Sequence, residues 1–310
     1  MKKLIITHKV DIDGLGGAVL ANIAYGKENV DYMLAMPSDI DSITESVINT
    51  NKHLEYDKIY ITDICPTDRV LQMIDDNKDI KSKLLIFDHH EGRIADLTRD
   101  YTFLTEKFDN EKGKTCGTSL FYDYLISNDL ICKKESIEKL VELTRRYDTW
   151  EWKDIYNDLE ADRLTTLMEA LGYDLYITHI TEKLLENDVF VFNDLENSLI
   201  DNKKAEIENY IKEALNTMYV TKMDGKDVAI IYAEKYRNDI KDYISENKIV
   251  DVDLLIIIKL KEQSISYRSM KENVDVNAFA RKYAGGGHFE ASGSHISSEK
   301  LKEITNIIFK

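Results

Sequence analysis

Three segments in the first half of the chain carry acids and imidazoles at close spacing: His8-Lys9-Val10-Asp11-Ile12-Asp13-Gly14, then Thr62-Asp63, then Asp88-His89-His90. Asp148 follows a helical stretch over Ile137–Tyr147, just before Thr149 and Trp150. Asp11, Asp13, Asp63 and Asp148, if gathered in one place, would raise one another's pKa and cost stability unless a cation neutralised them. Carboxylates mixed with two or three imidazoles and no thiolate favour Mn²⁺ over structural Zn²⁺, with Mg²⁺ as the alternative. The set also suits two ions about 3.5–4 Å apart, bridged by a carboxylate, that activate water for in-line attack at phosphorus. No Ser or Cys paired with a base offers a competing nucleophile. Singly, each acid has a plainer reading. An Asp after a strand is more often a turn former or helix cap, and triplets such as Asp39/Asp41 arise by chance in a chain this rich in Asp. The adjacent pair His89-His90 is harder to set aside, because the chain has only 7 His.

A second constellation lies near the C-terminus. Ser266-Tyr267-Arg268-Ser269 reads as a strand, and a helical stretch from Val274 to Ala284 runs into Gly285-Gly286-Gly287-His288. Arg268 offers a planar fork suited to a phosphate, and three glycines free backbone N–H groups for close approach by a ligand. Alone, the triplet would read as a flexible turn; beside Arg268 and His288 it reads as a phosphate or nucleotide cradle. Trp150 and Trp152 are the only tryptophans. Packing is the first reading for both, with base stacking as the alternative.

The elements that must position these groups alternate. Strands are predicted at Lys3–Thr7, Val30–Ala35, Lys58–Thr62 and Lys83–Phe87, with helices over Leu15–Tyr25, from about 39 to 50, and beyond Thr67. This alternation implies an α/β fold with a mainly parallel sheet covered by helices on both faces, whose strands deliver ligands to their carboxyl ends. From Thr115 to about Glu186 the pattern is helical. Leu195, Leu199, Ile200, Ile207, Tyr210, Ile211, Leu215 and Met218 mark one face of a long connector helix without Gly or Pro. Strand signals return at Asp227–Tyr232, Asp253–Leu260 and Ser264–Arg268, with helices around Tyr236–Glu246 and Ser298–Phe309. They mark a second, smaller α/β domain.

With 310 residues the chain fits roughly two domains of about 150 each. It has 57 acidic against 41 basic residues, a net charge of −16. That balance disfavours a surface for long duplex nucleic acid, which is normally basic. A short phosphodiester can still be met through bound cations. Lys2 and Lys3 with a short apolar run do not make a signal peptide, since His8, Lys9 and Asp11 interrupt it. No apolar run approaches the ~20 residues of a membrane span. Cys65, Cys116 and Cys132 are few and unpaired in spacing, which suits a reducing compartment. The expectation is a cytoplasmic protein without a membrane partner.

In combination, His8…Asp11-x-Asp13-Gly14, Asp63, Asp88-His89-His90, Asp148, Arg268 and Gly285-Gly286-Gly287-His288 resemble the DHH superfamily of phosphoesterases with its DHH-associated C-terminal domain. The likeness spans nearly the whole chain and is nearest the nanoRNase and cyclic-nucleotide phosphodiesterase branch. It implies a catalytic metal-binding domain over 1–190, the connector helix over 191–219 and a substrate-binding domain over 220–310, with the active site in the interdomain cleft. By the same resemblance His8, Asp11 and Asp63 hold one Mn²⁺, and Asp13, Asp63, His89 and Asp148 hold the other, Asp63 bridging. His90 stands near the scissile phosphate, and Asp88 orients a histidine. Arg268 and Gly285, Gly286, Gly287 and His288 grip the substrate. Many members have four glycines where this chain has Ala284 and three. The implied reaction is hydrolysis of short oligoribonucleotides to mononucleotides by a two-metal activated water. The alternatives are action on small nucleotides (3′-phosphoadenosine 5′-phosphate, cyclic mono- or dinucleotides) and a non-catalytic nucleotide sensor. A homodimer is left open.

Overall fold

The apolar runs of the first half become strands because they are rich in Ile, Leu and Tyr and are buried on both faces, which a parallel sheet requires. The computed structural model describes residues 2–90, 99–105 and 113–309. They divide into two units, Met1–Lys203 and Lys204–Lys310.

In the first unit the strands are β1 (Lys3–His8), β2 (Val30–Ala35), β3 (Lys58–Thr62), β4 (Leu84–Asp88) and β5 (Thr102–Leu104). They lie in the order β2-β1-β3-β4-β5, and every pairing is parallel. Side chains alternate between two cores. Ile5, Tyr60 and Phe87 face α1 (Ile12–Tyr25), α5 (Gly117–Ser127), α6 (Glu135–Asp148), α7 (Leu159–Leu171) and α8 (Tyr173–Glu186). Leu4, Ile6, Ile59, Ile61, Leu84 and Ile86 face α2 (Ile40–Asn49), α3 (Asp68–Asp76) and α4 (Lys78–Lys81). This is the α/β architecture the sequence predicts. The chain steps from β1 outward to β2 and then back past it to β3, so α1 and α3 leave over opposite faces. Such a reversal opens a crevice at the carboxyl ends of β1 and β3, where His8 and Asp63 stand.

Two local differences from the sequence reading matter. Helix α1 begins at Ile12 instead of Leu15, because Asp11 is its N-cap and accepts a hydrogen bond from the Gly14 N–H. Asp13 therefore sits in the first helical turn. Strand β5 has only three residues and gave no periodic signal.

The second unit holds a mixed six-stranded sheet in the order β10-β11-β9-β8-β7-β6. Its strands are β6 (Tyr219–Met223), β7 (Lys226–Tyr232), β8 (Leu254–Lys259), β9 (Ser264–Ser269), β10 (Gly286–Gly287) and β11 (Ala291–His295). Only β7 and β8 pair in parallel. One face carries Ala229, Ile231, Leu255 and Ile257 against α10 (Arg237–Glu246) and the end of α9 (Asp194–Leu215). The other carries Val228, Ile230, Ile256 and Tyr267 against α11 (Val276–Arg281). The chain closes with α12 (Ser298–Ile308).

Helix α9 starts on a reciprocal cap. The Glu196 N–H donates to Asn193 Oδ1 at 2.9 Å, and the Asn193 N–H donates to Glu196 Oε2 at 2.7 Å. The fully buried Glu196 carboxylate also accepts from Lys183 Nζ at 2.7 and 2.9 Å and lies 2.6 Å from His179 Nε2, both on α8. Glu196→Ala would leave Lys183 uncompensated in a buried place. The expected cost is about 3 kcal/mol, read as a fall of roughly 6–12 °C in the melting temperature of this unit.

Candidate metal centre

Each acidic or imidazole group at the crevice is placed by an element end. His8 is the last residue of β1, and Asp11 caps the helix that follows. Asp63 comes directly after β3 with a left-handed backbone, φ 58°, a conformation Asp tolerates because its short side chain can bond locally. Its N–H donates to the Phe87 carbonyl at 2.8 Å. Beneath them, the Thr7 and Thr62 hydroxyls lie 2.7 Å apart and lock the ends of β1 and β3 together.

The Asp63 carboxylate divides its two oxygens. Oδ2 lies 3.3 Å from His8 Nδ1, which is 2.7 Å from Asp11 Oδ2. Oδ1 lies 3.4 Å from His89 Nε2, which is 3.2 Å from Asp148 Oδ2 and 3.7 Å from Asp13 Oδ2. Among the described residues the side chains form three overlapping groups, His8–Asp11–Asp63, Asp13–His89–Asp148 and Asp63–His89–His90, each with its donor atoms within 4.8 Å of one another.

Asp13 is fully buried, and its two oxygens accept from the Gly117 and Thr118 N–H groups at the start of α5, both at 2.7 Å. Those two bonds fix its carboxylate rigidly while lone pairs remain. Close approach of α5 depends on Gly117, since a Cβ there would fall 2.6 Å from the Asp63 nitrogen. Gly117→Ala is therefore expected to displace the α5 terminus, weaken divalent-ion binding and cost about 1–3 kcal/mol, as read by ion titration and thermal unfolding.

These donors fit divalent ions on internal evidence. Asp63 Oδ2, His89 Nε2 and Asp148 Oδ2 are buried without a hydrogen-bond partner among the described residues, although they crowd one another. Burial, with the charges of Asp13, Asp11 and Asp148, pushes the Asp63 carboxyl well above its ordinary 3.8. Asp148 is pushed up in the same way by burial and by Asp13 and Asp11. Burial lowers the His89 pKa, keeping its ring neutral and its Nε2 able to donate a lone pair. Asp11 also pays a burial penalty, but His8 and the Gly14 N–H outweigh it and hold its carboxyl low. The donor set is oxygen with imidazole, without thiolate.

His90 behaves differently. Its Nδ1 lies 2.7 Å from Asp88 Oδ1, and this bond raises its pKa to about 9 despite its burial. It is therefore cationic at neutral pH. Asp88, whose own pKa is lowered, also accepts from the His89 N–H at 2.9 Å. One carboxylate thus orients the His90 ring and holds the backbone of His89.

The remaining sequence-predicted residues belong to the second unit. Arg268 lies on β9, with its guanidinium donating to Asn238 Oδ1 at 3.2 and 3.4 Å and to the Tyr267 carbonyl at 3.1 Å. Burial and the nearby Arg237 pull its pKa down to about 10. The glycines are not the direct continuation of a helix. Helix α11 ends at Arg281, and Gly286 and Gly287 form the edge strand β10, opposite Gly293 and Ser292. His288 closes the hairpin by donating from its N–H to the Ala291 carbonyl at 2.8 Å. Absence of Cβ serves close sheet packing at Gly285, where a Cβ would meet the Gly293 carbonyl oxygen at 2.2 Å.

No family model matches the chain. Its fold is shared by the DHH domain of a member of the s1p family of ribosomal proteins, at TM-score 0.66 and 15% identity, covering 98% of this chain and 85% of that one. RecJ from Thermus thermophilus in complex with Mn²⁺ has TM-score 0.56 and 14% identity, covering 98% of this chain and 51% of RecJ. In sequence the chain is 27% identical over 292 residues to the oligoribonuclease NrnB of Bacillus subtilis (strain 168), covering 93% of this chain and 72% of NrnB. The likeness to NrnB in sequence and to the DHH domain in fold supports the reading as a DHH-superfamily phosphoesterase of the nanoRNase branch.

Sequence reasoning missed the start of α5. Cys116-Gly117-Thr118-Ser119 carries no acid or imidazole, yet its N–H groups hold Asp13. A capping signal was present in Cys116 and Ser119, which cap reciprocally. What that cap faces, 104 residues away in sequence, had no local trace.

Proposed function

We propose that this DHH phosphoesterase hydrolyses short oligoribonucleotides to mononucleotides, with two Mn²⁺ ions (Mg²⁺ as the alternative) held by its acidic and imidazole groups. The observation that carries the reading is the Asp63 carboxylate, one oxygen turned to His8 and Asp11 and the other to His89. In this assignment His8, Asp11 and Asp63 hold one ion and Asp13, Asp63, His89 and Asp148 the other. Bound ions would supply an activated water and charge neutralisation at phosphorus. The likeness to NrnB supports an oligoribonucleotide as substrate.

The chain's own groups do the rest. Cationic His90 would hold a non-bridging phosphate oxygen as negative charge develops there, and Asp88 would keep it protonated and aimed. Asp13, gripped by the start of α5, would hold its position without reorganising during reaction. Arg268, Gly285, Gly286, Gly287 and His288 are assigned to substrate binding, Arg268 through a planar fork that meets no carboxylate among the described residues. No helix among the described residues is long and apolar enough to cross a membrane.

A hydrolysis panel with Mn²⁺ tests it: RNA of two to five residues, 3′-phosphoadenosine 5′-phosphate, cyclic mono- and dinucleotides, and pyrophosphate. The expected result is mononucleotide release, fastest from the RNA set. Turnover confined to the small nucleotides would replace the substrate assignment. Tight ion binding with no turnover of any compound would mark a nucleotide sensor.

A further inference from the structure

The two tryptophans have different surroundings. Trp152 packs on the core of the first unit and stacks on Tyr147, ring centroids 5.6 Å apart at 16°. Trp150 is 48% exposed and makes no ring contact with another described residue. It also has φ 63°, in the left-handed region where a bulky side chain is an outlier.

Such strain persists only where the surroundings over-determine it, and here they do. On one side, the Thr149 N–H and Oγ1 both donate to the Arg145 carbonyl, at 3.0 and 2.8 Å, and the Trp150 N–H donates to the Tyr147 carbonyl at 3.1 Å. On the other side, buried Glu151 accepts from buried Arg145 and from the Lys114 N–H at 3.2 Å. Arg145 also donates to the Lys114 carbonyl and to Glu142. Thr149 and Glu151 are thus both anchored, and the turn between them holds a large apolar ring toward solvent. Its Cα lies within about 7 Å of that of Asp148, the reach of two residues. The nearby Tyr156 ring is already faced by the Arg146 guanidinium, 4.0 Å from its centroid.

We propose that Trp150 is a stacking platform for one nucleobase of the substrate. The inference rests on the oligoribonucleotide reading for its substrate and on the anchored, strained turn for its location. Every base has a π-face, so the platform supplies affinity without selecting a base. Rigid presentation means little ordering is needed on binding.

Two experiments test it. In Trp152→Phe protein, where Trp150 is the sole tryptophan, fluorescence should be quenched by AMP and not by ribose 5-phosphate; equal response to both, or none to either, overturns the proposal. In ApA hydrolysis, Trp150→Ala and Trp150→Gly should raise KM by about tenfold or more with kcat within about twofold, while Trp150→Phe keeps most of the affinity. Trp150→Gly should also melt higher than the wild type, because Gly accepts this φ at no cost. A packing role would predict the reverse, a lower melting temperature with unchanged KM, and that result would sink the platform. Failure of the wild type to hydrolyse ApA overturns the function reading alone, because the AMP quench is read without turnover.

Discussion

Asp63→Asn is expected to lower kcat/KM by about 10³-fold or more and, at the same time, to raise the melting temperature of the metal-free protein. The loss follows from position: one Asp63 oxygen faces His8 and Asp11 while the other faces His89, so no neighbour can replace both. The gain follows from electrostatics. Asp63 is buried among Asp13, Asp11 and Asp148, which oppose its ionisation, and an uncharged amide of the same shape removes that repulsion. Asn is the informative choice because it also accepts the left-handed backbone at this position; Ala would add strain and a void. Stability and activity moving in opposite directions is the signature of a site built for charge. Wild-type rates in Asp63→Asn would show the bridging assignment to be wrong.

Divalent ions are expected to stabilise the protein by an amount that grows with pH. Asp63 and Asp148 have native pKa values raised above the ordinary 3.8, so at these two sites the metal-free native state holds protons that the unfolded chain releases. Their contribution to stability therefore falls as pH rises from about 4 through those raised values, and it stays at the lower level beyond them. Bound ions require the ionised carboxylates, so their binding strengthens over the same window. At a hundredfold excess over the dissociation constant an ion adds about 2.7 kcal/mol, roughly 5–11 °C in melting temperature for a unit of this size. Calorimetry with Mn²⁺, Mg²⁺ or a chelator at pH 5 and pH 8 reads this directly. A Mn²⁺ shift absent at both pH values would remove the metal centre; one larger at pH 5 would contradict the carboxylate ionisation that underlies it.

The sequence made the strands legible because a sheet covered on both faces needs continuous apolar runs, and Leu4–Ile6, Ile59–Ile61 and Leu84–Phe87 are such runs. It also made the chemistry of the crevice legible, since His and Asp were placed at strand ends where a parallel sheet delivers them together. Less could be read at the level of single residues. Asp63, alone, looked like a turn former, and it is one: its left-handed φ makes the turn that presents its carboxylate. Asp11 is both a helix cap and a neighbour of His8, so the ordinary and the functional readings describe one geometry. Trp150 and Trp152 could not be told apart, because local spacing does not report which ring finds a core.

Residue types and period-2 or 3.6 patterning determined the α/β class of this protein, the groups available for chemistry and the edge to which three of the four segments run. Those properties are local, fixed by backbone sterics and by which side chains leave water. The tertiary structure alone decided that the α5 terminus grips Asp13, that Asp63 turns its oxygens to two different groups, and that Trp150 is held outward. Each of these depends on segments from roughly 25 to 100 residues apart, or on which ring finds a core, and no pattern within one segment encodes the atoms that another will bring to it.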